Sequence, residues 1–302
     1  MSSWLFILSI LSGLLSYSFF NIGFALEKKA ISKLSSEVQN KIVEMIKHLL
    51  RSKTWLLGFF LTLFSVVLYF IALTWAPLSA IAPLSGFGLV ILITFAHIDL
   101  HESFNIKEII GMVMVIVGIS ASSYFTSLNS KQMLWDEWNV LAHSYTGLII
   151  LLSSIVLGLI LPIVFILKAK HNSFYAFAVL AGIAAGIQTV IIKGITLWFS
   201  PTNYGPVLFI VFLYIGGFLL TALASTGGLQ LAFREGKVTN IMALYNGFVT
   251  IIPILFGGIV LLEWQDYTIL NKTLLGISIS IALSGIIIIS LEHSHQSSDN
   301  NL

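Results

Sequence analysis

Continuous apolar runs of roughly 20 residues recur along the whole chain, the length an α-helix needs to cross the hydrocarbon core of a bilayer. They lack the ten-residue alternation of an outer-membrane barrel, and a water-soluble core has no room for so many of them. Of 302 residues, 57% are hydrophobic and 9% charged, against about 25% charged in an ordinary soluble domain. The expected fold is therefore an all-α, polytopic helical bundle in a membrane. With no cysteine in the chain, disulfides, thiolate metal sites and a cysteine nucleophile are excluded.

Runs bounded by charge or turn residues give nine expected spans, at 4–26, 55–74, 78–97, 108–126, 145–167, 174–199, 206–231, 238–262 and 271–291. The first has no basic region before it and ends in EKK, so it reads as a span and not a cleaved leader. Short connections suit antiparallel helices. One longer connection, 27–54, carries seven basic residues from Lys28 to Lys53. Within it Leu34, Val38, Ile42, Met45 and Leu49 recur at steps of three and four, which predicts an amphipathic helix over 31–53 lying on the membrane surface. In the other, 127–144, Trp135 and Trp138 flank Asp136 and Glu137, a composition suited to the interface. Twelve of the 15 Lys and Arg then fall on one side, two (Lys131 and Lys272) on the other, and Lys193 inside a span. That bias predicts an outside N-terminus and a cytoplasmic C-terminus, in the plasma membrane. Residues 292–302 are polar and expected to be a disordered tail.

The two halves show a weak internal likeness. After the third span, Glu102 is followed by Gly111 and Gly118; after the eighth, Glu263 is followed by Gly276 and Gly285. The two glutamates lie on opposite sides of the predicted topology, as inverted repeats require. The expected units are 1–126 and 145–291.

The stretch APLSAIAPLSGFGLVILITFAHIDLHESFNIKEIIGMVMVIVG resembles the first half of the NIPA-type magnesium transporters, a branch of the drug/metabolite transporter (EamA-like) superfamily. Carrying the resemblance are Ala76-Pro77, Pro83-Leu84, Glu102, Gly111 and Gly118, with Leu26 to Lys29 in the first span. In the second half, Lys193-Gly194, the string VTNIMALY and Glu263-Trp264 are similar to the family's pattern. Where the family tends to have proline before a tyrosine pair, this chain has Ala243, Leu244 and Tyr245. The resemblance implies an alternating-access transporter of Mg²⁺ or another divalent cation. An anionic or zwitterionic organic solute, as elsewhere in the superfamily, is the alternative, and a scaffold or receptor role is the third.

Ionisable groups within a span are costly, about 2.5–3.5 kcal/mol on insertion scales, so Lys193 needs a reason. It shares a helix face with Gly182, Gly186 and Thr189, which points it into the bundle; the competing reading is a side chain snorkelling to the interface. Polar or small stripes mark the third span (Ser79, Pro83, Gly86, Thr94, His97) and the eighth (Thr239, Asn246, Thr250, Pro253). Pro83 and Pro253 free the carbonyls of Ser79 and Val249, which can then meet a solute or merely kink their helices. Asn21, with Tyr17 and Ser18 nearby, is either a third polar contact or interhelical glue. The substrate-binding candidates are thus Asn21, Ser79, Pro83, Lys193, Asn246, Thr250 and Pro253. Glu102 and Glu263 are candidate cation ligands at the two mouths, though a carboxylate at a membrane edge is commonly just solvated, and Glu27 reads the same way. His97, Asp99, His101 and Glu102 cluster at the end of the third span, where a solvated helix end explains them better than a magnesium cage, because Mg²⁺ prefers oxygen ligands. No His-Glu-x-x-His helix, Gly-x-Ser-x-Gly elbow or intramembrane aspartate pair suggests an enzyme. No cofactor and no nucleic acid are expected; the partners are the bilayer and the solute, with a homodimer as a candidate assembly.

Overall fold

A computed structural model describes residues 3–99, 105–127, 174–198, 208–234, 237–259 and 261–299, with scattered single positions between 137 and 167. In chain order the helices are α1 (Ser3–Ile31), α2 (Ser36–Asn40), α3 (Ile42–Leu49), α4 (Lys53–Trp75), α5 (Leu78–Ile81), α6 (Ser85–Asp99), α7 (Ile106–Ser127), α8 (Phe174–Trp198), α9 (Leu208–Ala232), α10 (Val238–Ile259) and α11 (Ile269–Asp299). Among the described residues, six segments are long and apolar enough to cross a membrane: Trp4–Ile31, Lys53–Trp75, Leu78–Asp99, Phe174–Thr196, Val211–Ala232 and Val238–Ile259. Shorter apolar stretches, Ile109–Ser122 and Ile269–Gly285, occupy the expected fourth and ninth spans. The expected span at 145–167 and the loop with Trp135 and Trp138 lie outside the described residues, apart from the single positions noted.

Outward-facing side chains give the physical reason for a bilayer. Leu57, Phe60, Phe64 and Val67 on α4, and Trp4, Ile7, Leu11 and Leu15 on α1, are all exposed at helical spacing. In water such stripes would be aggregation surfaces, whereas in lipid they cost nothing. The interior is built from close helix contacts. At the α1–α4 crossing, a Cβ on Gly23 would lie 2.7 Å from the Gly58 carbonyl oxygen, and one on Gly58 would lie 2.5 Å from that of Gly23. Any larger residue there forces the two helices apart. The principal packing partners are α1 with α4 and α6, α8 with α9 and α10, and α7 with α11. Helix α10 lies deepest, with every residue from Val238 to Gly247 buried.

Three local features differ from the sequence expectation. The amphipathic segment is two helices, because Lys41 adopts an extended backbone (φ −107°, ψ 97°) that ends α2 and starts α3. Only part of its apolar face is inward: Met45 and Leu49 are buried against the bundle, while Val43 and Ile46 are exposed. The third span is broken, α5 passing through a tight turn at Ala82–Leu84, where Pro83 sits, into α6. Helix α11 continues to Asp299 across the segment expected to be disordered from 292, since no Gly or Pro follows Gly285 to stop it.

At the basic end of the bundle, charges are tied down and not simply facing headgroups. Lys29 pairs with Asp99 at 2.7 Å. Lys28 donates to the Phe233 carbonyl, and Arg234 donates to Asn40 Oδ1 at 2.5 Å.

Candidate functional site

A small, partly open cavity of about 50 Å³, its surface mainly apolar, lies between four helices. Helix α1 contributes Ser16, Tyr17 and Phe20, and α4 contributes Ser65, Val66 and Tyr69; α8 adds Ala185, Gln188, Thr189 and Ile192, and α10 adds Tyr245 and Val249. Among the described residues no lining side chain is charged. Several hydroxyls are spent on the helices themselves: Ser16 donates to the Ser65 carbonyl, Ser65 to that of Thr62 and Thr189 to that of Gly186, each at 2.7 Å. Tyr245 and Ser225 share a hydrogen bond of 3.0 Å. Tyr17 and Tyr69 are different. Their rings meet edge to face at 5.6 Å and both residues are buried; their hydroxyls approach each other, and that of Tyr69 approaches Thr189, but neither makes a hydrogen bond of good geometry among the described residues. A buried hydroxyl without a well-made hydrogen bond costs about 1–3 kcal/mol, so these two are the polar groups beside the cavity most open to a new partner.

Beside the cavity, and not in its wall, runs a thread of buried polar side chains. Asn246 on α10 donates to Asn21 Oδ1 on α1 at 3.1 Å, and Asn21 donates to the Tyr17 carbonyl at 2.8 Å. Thr250 returns its hydroxyl to the Asn246 carbonyl at 2.7 Å and also meets Ser85. Asn21, Asn246 and Thr250 thus pin α1, α6 and α10 to one another. Pro253 lies one turn further along α10, inside the helix.

Lys193 is fully buried near the end of α8. Its amine donates to the carbonyls of Leu73 (2.8 Å) and Ala76 (2.9 Å), the unpaired acceptors at the end of α4. Immediately after, Glu263 accepts from the backbone N–H groups of Leu78 and Ser79, both at 3.0 Å, the unpaired donors at the start of α5. The break between α4 and α5 is therefore held from both sides, a cation on the carbonyl end and an anion on the amide end, as the two helix dipoles favour. Local sequence explains how Glu263 gets there. Gly257 and Gly258 leave room for Glu263 and Trp264 to fold back against α10, and Leu262 takes a positive φ of 53° to make the turn. Glu263 is buried, not solvated. Burial pushes its carboxyl up from the ordinary carboxylate range, opposed by the contacts with Ser79, Lys193 and Leu78.

A second buried carboxylate stands at the basic end. Glu27 is wholly inaccessible. Gln230 on α9 donates to it through Nε2, and Thr62 on α4 lies 3.2 Å away. Trp55 donates to Gln230 Oε1 at 3.3 Å, which fixes which way the Gln230 amide points.

The remaining sequence candidates divide as follows. Ser79 is buried in α5, with its amide on Glu263. Pro83 sits in the turn that breaks the third span. Glu102 and His101 lie outside the described residues. Among the described residues no group of three or more His, Asp or Glu is placed to hold a metal ion. None of the seven substrate-binding candidates is in the cavity wall, although Asn246 adjoins Tyr245 and Asn21 bonds to Tyr17. Tyr69, Ser65 and Gln188 were not singled out by the sequence; a hydroxyl or amide on an apolar helix is too common to stand out.

Residues 40–124 match the EamA-like transporter family. The probable magnesium transporter NIPA9 of Arabidopsis thaliana is 33% identical over 124 residues, which cover 38% of this chain and 35% of that relative. The match thus spans about a third of the length of the curated relative. No solved structure matches the chain. Both sequence likenesses agree with the resemblance carried by the Ala-Pro, Pro-Leu and glycine spacing. The chain is a polytopic helical membrane protein in which residues 40–124 are similar to the EamA-like transporter family.

Proposed function

We propose that the protein transports a small solute by alternating access, Mg²⁺ first among the candidates, and that the solute passes through the cavity between α1, α4, α8 and α10. The observation that carries this reading is the cavity itself, with the buried, edge-to-face pair Tyr17 and Tyr69 in its wall. The packing of α1 with α4 and α6, matched by that of α8 with α9 and α10, supports two repeats that rock about this space. In this reading the basic end faces the cytoplasm.

Mg²⁺ sheds its water reluctantly, so in this reading the small cavity widens during the cycle to pass a largely hydrated ion beside the neutral polar groups of Tyr17, Tyr69 and Gln188. The likeness to a probable magnesium transporter supports the same choice. Lys193 does not oppose it. The amine is committed to two carbonyls and Glu263 is within electrostatic reach, so its charge is offset at the α4–α5 break. A small zwitterionic organic solute is the second reading, favoured by the absence of any charged side chain in the wall. An anionic solute loses the lysine that would have recognised it. Glu263 acts in this proposal as a tie at the α4–α5 break.

Flux into reconstituted vesicles tests it. We expect Mg²⁺ entry above that of protein-free vesicles, reduced by the paired substitutions Tyr17→Phe and Tyr69→Phe. Movement of zwitterionic solutes without Mg²⁺ would replace the cation reading with the second one. Movement of neither would overturn transport.

A further inference from the structure

Glu27 is a carboxyl group that neither the cavity wall nor the α4–α5 break uses. It lies in the last turns of α1, seven residues beyond Phe20 of the cavity wall, about 10 Å along the helix axis. A polar chain joins the two places: Ser16 bonds to the backbone of Ser65, Ser65 to that of Thr62, and Thr62 to Glu27.

The groups around Glu27 can be counted. From α4 come Thr62 and the close-packed Gly58; from α9 comes Gln230, its amide oriented by Trp55. From α10 comes Tyr245, within electrostatic reach. The cations nearest in sequence to Glu27 and to its partner Gln230 are engaged elsewhere: Lys28 on the Phe233 carbonyl, Lys29 on Asp99, and Arg234 on Asn40. Among the described residues, Glu27 has no salt-bridge partner.

Hydrogen bonding around it has two self-consistent forms. Thr62 has one proton and two acceptors in reach, the Gly58 carbonyl at 3.0 Å and Glu27 Oε1 at 3.2 Å. When Thr62 donates to Gly58, its oxygen is free to accept, and a protonated Glu27 supplies the proton. When Thr62 turns to Glu27, the carboxylate is the acceptor. Gln230 donates to Oε2 in both forms. A hydroxyl that can reverse lets the site hold either state without an orphaned partner.

We propose that Glu27 is a proton-binding site of the transport cycle, its proton exchanged for a cation that occupies the cavity. In the exchange the Oε1–H bond breaks, its electron pair stays on the carboxylate, and the proton passes to water that reaches the buried site when the helices rock open at the basic end. The cation's field then favours the carboxylate, and its departure favours the acid. This inference rests on the cation reading above.

Calorimetry of Mg²⁺ binding to the whole protein in lipid nanodiscs, in buffers of differing ionisation enthalpy, counts the protons released. Wild type is expected to release up to one proton per Mg²⁺, and on the acid side of the Glu27 titration its apparent affinity weakens about tenfold per pH unit. Glu27→Gln is expected to release none and to lose the pH slope, while Glu27→Asp keeps both. Difference infrared spectra give a second readout. A carboxylic acid band that titrates in wild type and is lost in Glu27→Gln is expected even where that variant binds no Mg²⁺. Mg²⁺ binding by wild type with no proton release, or no such band, overturns the proposal and leaves the cation reading standing. Failure of wild type to bind Mg²⁺ overturns the cation reading and the exchange with it.

Discussion

Lys193 and Glu263 illustrate what one side chain's chemistry can and cannot announce. The glycine face of α8 is readable in the sequence, and Lys193 does turn inward with Gly182 and Gly186, which pack against α10. What it meets there, the carbonyls of Leu73 and Ala76 some 120 residues earlier, has no local signal. Glu263 and Glu27 read as solvated span-end carboxylates for the same reason. Their burial depends on Leu78 and Ser79 in one case and on Gln230 in the other, each about 200 residues away in sequence. Removing the Glu263 side chain leaves two buried amides and a buried lysine without their partner. Glu263→Ala is therefore expected to destabilise the protein by about 3–5 kcal/mol. Glu263→Gln, which keeps an acceptor, is expected to cost about 1–2 kcal/mol. Thermal unfolding in detergent or nanodiscs, with Lys193→Ala completing a double-mutant cycle, checks the coupling.

Helices were the most legible level, because a span's length and hydropathy are local properties. The places where they stop or approach one another were less so. Pro83 forewarned of the break in the third span, but the break in the amphipathic segment at Lys41 has no proline or glycine to mark it. At the α1–α4 crossing each glycine's missing Cβ is the space its partner's backbone occupies. Gly58→Leu is expected to force these helices apart, costing at least the ~1–3 kcal/mol of ordinary overpacking. It would also displace Glu27, whose Cγ lies 3.0 Å from where a Cβ would stand. Gly216, which meets nothing within 4 Å at that position, is the control: Gly216→Ala should leave the unfolding midpoint nearly unchanged.

For the molecule as a whole, charge asymmetry in the sequence supports a proposed orientation with the basic end inside. The native absence of cysteine makes a clean test. A single cysteine at Lys33 is expected to react with an impermeant thiol reagent only after the membrane is opened. A cysteine at Gln265, in the loop at the other end, is expected to react on intact cells; the reverse pattern would invert the topology. The proposed repeat rests in the sequence on two glutamates and a few glycines, whereas the cavity depends on four helices meeting, which no local stretch of sequence marks.

Transport through that cavity is the central claim, and the paired substitution Tyr17→Phe with Tyr69→Phe tests it most directly. Neither hydroxyl makes a well-formed hydrogen bond, so their loss is expected to cost the folded protein little stability. Mg²⁺ flux in reconstituted vesicles is expected to fall about tenfold or more, because a hydrogen bond to a charged solute contributes about 1.5–3 kcal/mol. A doubly substituted protein that folds and carries Mg²⁺ at the wild-type rate would contradict the account.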